Sequence, residues 1–176
     1  DMVFYTKIVW PINMVILGID PGYATVGYGI IDSTGSNNKV IDYGVITTPK
    51  EQKLPARLKH ISECVKELIA KHKPNAICVE ELFFQSNRKT AIFVAEARGA
   101  IILSCMDSDI AMYEYTPLQI KQAITGYGRA DKNQIQQMVK VMLGLKSAPK
   151  PDDAADALAV ALTHAQTNKL AHLFNM

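Results

Sequence analysis

The chain lacks the long hydrophobic run that a membrane helix needs: nowhere in its 176 residues do about eighteen apolar residues follow one another. It also lacks a cysteine framework. The three cysteines, Cys64, Cys78 and Cys105, are odd in number, show no C-x-x-C spacing and each lie within an apolar segment. That argues against disulfides and against a zinc site, and it suits free thiols in a reducing, cytoplasmic setting. No low-complexity tract, internal repeat or long linker is present. With 48% hydrophobic and 20% charged residues, the composition is that of one globular domain long enough to bury its own core.

A strong excess of charge is missing as well. The formal net charge of +2 does not by itself announce a nucleic-acid partner, although cations bound by four carboxylates would raise it by four. Residues 1–13 are apolar but carry Asp1 and Lys7 and have no small-residue cleavage site. They are expected to be a leader or remainder ahead of a single domain over 14–176, with Met14 as the natural start.

What is present reads as an ordered series of elements. Val15–Ile19 is a short apolar run stopped by Asp20-Pro21-Gly22, and 25–32 and 40–46 flank the turn-rich stretch 33–38, so three strands form an antiparallel meander. Leu54, Leu58, Ile61, Val65, Leu68 and Ile69 make one helical stripe that ends before Pro74. A strand over 76–79, a helix from about 88 to 106 and a strand over 110–115 follow. Thr116-Pro117-Leu118-Gln119 and Asp131-Lys132-Asn133-Gln134 have capping-box chemistry and start two further helices. A last helix opens at Pro151-Asp152 and reaches roughly 168. The order β-β-β-α-β-α-β-α-α-α predicts an α/β fold: a mixed five-stranded sheet with helices on both faces and the first and fourth strands parallel neighbours.

Four acids become interesting in that arrangement. Alternation along a strand puts Asp20 on the face of Gly18 and Ile16, and Glu80 on the face of Cys78 and Ala76. Adjacent strands lie about 4.8 Å apart, so two carboxylates at neighbouring strand ends could bracket one cation. Small residues beneath them would let a helix lie close. The alanine-rich last helix is the natural partner, because Asp153 and Asp156, three apart, project from one side. Two Mg²⁺ ions about 4 Å apart need oxygen ligands at that density, and such a pair supports in-line hydrolysis of a phosphodiester. Each acid also has a plainer reading: Asp20 as a turn residue before Pro-Gly, Glu80 as a solvated strand end, Asp153 as a helix-start acid. Asp156 fits such a reading least well, standing one turn into an apolar helix with no obvious cationic neighbour. Glu81 points to the opposite face and reads as a surface acid.

Taken together, Ile16-Leu17-Gly18-Ile19-Asp20-Pro21-Gly22 with Gly27-Tyr28-Gly29, Val79-Glu80, Ala97-Arg98-Gly99, Lys121-Gln122 and Asp153-Ala154-Ala155-Asp156-Ala157-Leu158-Ala159 resemble the bacterial RuvC crossover junction endodeoxyribonucleases. The likeness covers nearly everything after residue 13. It implies a ribonuclease H-like fold and a metal site formed by Asp20, Glu80, Asp153 and Asp156. It also implies a homodimer that resolves Holliday junctions by symmetric Mg²⁺-dependent nicking in recombination and repair. Whether branch-migration proteins deliver the junction stays open. Phe83 matches an aromatic DNA-contacting position of the family, while Lys121 and Lys132 match basic positions near the scissile phosphate. Arg129 lies in the 126–129 loop between those two lysines. Phe84 and His164 read as packed side chains. The helix over 88–106 carries apolar residues on more than one face, which suits either a dimer surface or a fully buried central helix.

Other functions fit less. An ATP-phosphate loop of the sugar-kinase or actin type would need a second lobe with its own Asp-x-Gly, and none occurs. A junction-binding relative without catalysis would not need all four acids. A ribonuclease H-like enzyme acting on RNA–DNA hybrids would use the same metal chemistry, and only its substrate-facing loop and the absence of a dimer would set it apart.

Overall fold

The computed structural model describes residues 13–34, 37–82 and 88–174, except for the side chains of 88–89 and 169–174. The elements follow the expected order: β1 (Asn13–Asp20), β2 (Thr25–Thr34), β3 (Asn38–Thr47), α1 (Leu54–His72), β4 (Ala76–Glu80), α2 (Arg88–Met106), β5 (Ala111–Tyr115), α3 (Pro117–Thr125), α4 (Lys132–Met142) and α5 (Asp152–Phe174). The five strands make one sheet in the order β3-β2-β1-β4-β5. The meander pairs antiparallel, and β1–β4 and β4–β5 pair parallel. The C-terminal ends of β1, β4 and β5 therefore open on one edge, together with the start of β2. Of the stretch 1–13, only Asn13 lies within the described residues, paired with Thr34 at the start of β1.

Alternating strand residues feed two cores. On one face Ile16, Ala76 and Cys78 pack with Leu158, Ala161 and Leu162 of α5 and with Ile120, Ile135 and Val139 of α3 and α4. On the other, Leu17, Ile19, Ile77 and Val79 meet Ile61 and Val65 of α1 and Ala97 and Ile101 of α2. The three thiols are free, with Cys78 and Cys105 buried in these cores.

Close approach of α5 to the sheet depends on three glycines, one of them Gly29, where a Cβ would meet Leu158. A Cβ at Gly18 would collide with the Ala157 carbonyl, and one at Gly27 would collide with the main chain of Asp153. Bare backbone at these positions lets the helix settle against β1 and β2, which fixes where its acids lie. Both expected capping boxes are formed, Thr116 with Gln119 and Asp131 with Gln134.

One expectation changes, and one of two open alternatives is removed. The last helix runs past 168 to Phe174, because no glycine or proline interrupts the chain there. Nor is α2 a fully buried helix. It buries Ala97, Ile101 and Cys105, but Ile92 and Leu103 are 62% and 67% exposed, and Phe93 and Met106 are also open to solvent. Among the described residues no helix is long and apolar enough to cross a membrane.

Candidate active site

Asp20 ends β1 and Glu80 ends β4. The strands are in register up to Ile19 and Val79, so the two acids occupy the next neighbouring positions. From above, α5 brings Asp156. These three carboxylates line one open cleft of about 230 Å³ together with Lys121 of α3 and Lys132 of α4; Pro117, Ile120, Ile135 and Ala159 form its apolar wall. Asp153 lies beside this cleft, its main chain pressed on Gly27 and its carboxylate near enough to act on Asp20 and Asp156 by charge.

Crowding of like charge in a half-dry site shows in the titration of the acids. Burial, reinforced by the charges of Glu80, Asp156 and Asp153, pushes Asp20 well above the usual carboxylate range. A side-chain hydrogen bond with Glu80 raises Asp20 further. Burial and the charge of Asp156 raise Glu80 too, against the opposing pull of that hydrogen bond and of Lys132 and Lys121. Asp156 is raised by burial, which outweighs the lowering by Lys132.

The expectation that Asp156 stands without a cationic neighbour is overturned. Lys132 Nζ lies 3.0 Å from Asp156 Oδ2 and 3.6 Å from Asp152 Oδ2. Burial works against the Lys132 ammonium, but the hydrogen bond and charge of Asp156 more than offset it, and its pKa rises. The lysine reaches Asp156 because the Asp131 cap starts α4 at the cleft edge. Spacing within α5 could not reveal a partner supplied by another helix.

The proposed DNA contacts divide by place. Lys121 and Lys132 face the cleft, whereas Arg129 is exposed in the loop between their helices. Phe83 and Phe84 lie outside the described residues. Glu81 is exposed, as expected. One residue without an assigned role proves to be a neighbour of the site: Arg98 of α2 ion-pairs with Glu114 of β5 and directs Nε toward the Glu80 carbonyl oxygen at 3.5 Å. An arginine among the small residues Ala97 and Gly99, in the middle of an apolar helix, was the available signal. His164 is buried behind the site, and its Nδ1 is hydrogen-bonded to the Tyr115 hydroxyl at 2.7 Å.

The acids suit a divalent cation. They are hard oxygen donors on converging strand and helix ends, and burial together with their mutual repulsion raises Asp20 well above the usual carboxylate range. Among the described residues no three such side chains are yet drawn into a shared coordination shell, and Asp156 is satisfied by Lys132 instead.

Residues 16–164 match the profile of the family described as crossover junction endodeoxyribonuclease RuvC. The chain belongs to the RuvC family. The crossover junction endodeoxyribonuclease RuvC of Alkaliphilus oremlandii is 53% identical over 163 residues, covering 93% of this chain and 99% of the relative. That of Caldicellulosiruptor saccharolyticus is 58% identical over 86% of this chain and 92% of its own. Among solved structures, Thermus thermophilus RuvC in complex with a Holliday junction substrate matches with a TM-score of 0.85 and 36% identity, over 90% of this chain and 96% of that one. The ribonuclease H-like architecture expected from the resemblance is thereby borne out.

Proposed function

We propose that this RuvC-family chain is a structure-selective endonuclease that resolves Holliday junctions in the cytoplasm, cutting two DNA strands symmetrically as a homodimer with Mg²⁺. The observation that carries this reading is the single cleft in which Asp20, Glu80 and Asp156 face Lys121 and Lys132.

Asp20, Glu80, Asp153 and Asp156 would hold the metal, with Asp20 and Glu80 nearest the sheet. Two Mg²⁺ ions bound there would supply an activated water and charge stabilisation for the leaving oxygen of the phosphodiester. The protein's own groups supply the rest. Lys121 and Lys132 put two ammonium groups beside the acids, where they attract and orient a phosphate that carboxylates alone would repel. Asp156 sits where it can serve either Lys132 or a cation, so the lysine also keeps the acid cluster from repelling itself apart. The apolar wall of Ile120 and Ile135 limits water on the side facing α3 and α4. Phe83, outside the described residues, is proposed to stack on an unpaired base, and Arg129 to contact the backbone farther out.

A dimer surface is supported by α2. Ile92, Glu96, Gly99, Leu103 and Met106 recur at alternating intervals of four and three, so they share one helix face. All five are exposed, and a Cβ at Gly99 would meet nothing within 4 Å. A two-fold pair of such helices would place two clefts against a two-fold junction.

Labelled four-way junction, linear duplex and RNA–DNA hybrid, each incubated with the protein in Mg²⁺, provide the test. Junction cleavage at paired positions is expected, and Asp156→Asn is expected to bind the junction normally while nicking at least about a hundred-fold more slowly. Preferential cleavage of the hybrid would overturn the substrate, and full activity in Asp156→Asn would remove that residue from the metal site.

A further inference from the structure

Arg57, on the first turn of α1, is only 9% exposed. The ion pairs among the described residues do not include it. Burying a guanidinium without a counter-charge is costly, so its remaining contacts must hold it in place. Those contacts all lead to one segment, the loop that follows Asp20. Arg57 Nε donates to Thr48 Oγ1 at 2.7 Å, and that hydroxyl donates to the Tyr23 carbonyl at 2.8 Å. Next to it, Thr48 N donates to the Ala24 carbonyl at 3.0 Å. The guanidinium carbon also stands 4.8 Å from the centroid of the Tyr23 ring, and that ring meets Phe93 of α2 at 5.5 Å between centroids.

Asp20 therefore lies between two fixed pieces of backbone. Behind it β1 is paired on both sides, to β2 and β4. Ahead of it, Pro21 has a restricted φ, and Tyr23 and Ala24 are held by carbonyl and ring. Among the described residues no ion pair joins Arg57 to Asp20. The link from Arg57 to Asp20 runs through the main chain.

We propose that Arg57, acting through Thr48, is a positioning residue for Asp20: it sets the direction of that carboxylate, and with it the affinity of the acid cluster for a divalent cation, without touching cation or DNA. This rests on the metal-site part of the proposed function and not on the junction as substrate. A ligand carboxylate whose main chain is loosened must be ordered when the cation binds, and partners of this kind typically change metal affinity by about ten- to a hundred-fold.

Mn²⁺ binding to the full chain without DNA, followed by the electron paramagnetic resonance of the free ion, reads this directly, with thermal unfolding measured in parallel. Arg57→Met and Thr48→Val are each expected to weaken Mn²⁺ binding by about ten-fold while the far-ultraviolet circular dichroism stays that of the unmodified chain. Thr48→Val removes only the hydroxyl relay, so it tests the link even where Arg57→Met fails to fold. A lowered melting temperature with unchanged Mn²⁺ affinity in Thr48→Val would overturn the inference and leave Arg57 a strut of the fold. No Mn²⁺ binding by the unmodified chain would overturn the metal site and the inference together. Tight Mn²⁺ binding that is weakened in the variants, without junction cleavage by the unmodified chain, would sustain the inference and overturn only the substrate.

Discussion

A histidine on the most buried helix has a different chemistry from the acids on the same helix. His164 is 3% exposed, and burial lowers its pKa from the usual 6.5 to about 4, so at neutral pH the ring is uncharged. The folded pKa lies below the unfolded one, and the unfolded chain takes up the proton first. Stability from the neutral ring is then complete above about pH 6.5 and is lost as the pH falls toward about 4, with a ceiling of about 3 kcal/mol. Chemical denaturation at pH 7 and pH 4.5 is expected to show a smaller pH-dependent loss in His164→Phe than in the unmodified chain, despite the cost of leaving the Tyr115 hydroxyl without its ring partner. An equal loss in both would assign the acid sensitivity to other groups. His164 was readable from the sequence as packed, since its helix neighbours are apolar. Lys132 as the partner of Asp156 was not, because a salt bridge between helices depends on where α4 begins relative to α5, and spacing along one helix carries no information about that.

At the scale of elements, the position of α5 determines whether the acids meet. The helix is held against the sheet by contacts that only a missing side chain permits, above all the contact between Gly18 and the Ala157 and Ala161 turn. Gly18→Ala is expected to push the helix outward, costing about 1 to 3 kcal/mol as an overpacked core contact does. It should also separate Asp156 from Asp20, so that the Mg²⁺ concentration for half-maximal cleavage rises. Urea unfolding measures the first effect and a metal titration of activity the second. Unchanged values for both would show that the strand and helix adjust without strain. Much of this architecture was legible beforehand: small residues beneath Asp20 and Glu80 announced a close helix, and the capping boxes at Thr116 and Asp131 announced where α3 and α4 begin. The exposure of α2 was not legible. An apolar helix with more than one greasy face looks the same in sequence whether the core or a partner covers it.

That same helix governs the expected behaviour of the whole molecule. In the proposed dimer a two-fold contact between two α2 faces is isologous, so any change at Leu103 would enter the interface twice, and a carboxylate there would be buried against its own copy or in apolar surroundings. Leu103 is 67% exposed in the single chain, which means that substitution should cost little fold stability. Leu103→Glu is therefore expected to melt within a few degrees of the unmodified chain, sediment as a monomer at micromolar concentration and retain Mn²⁺ binding. Paired nicking of a four-way junction should be lost, while occasional single nicks persist, since each cleft carries its own acids and lysines. A variant that still sediments as a dimer and still makes paired nicks would take the interface away from this face of α2. If Leu103→Glu instead lost Mn²⁺ binding along with dimerisation, cation binding at each cleft would depend on the paired helices, the contacts of α2 with Tyr23 and with the Glu80 carbonyl being routes by which the helix reaches the proposed metal-binding strand ends.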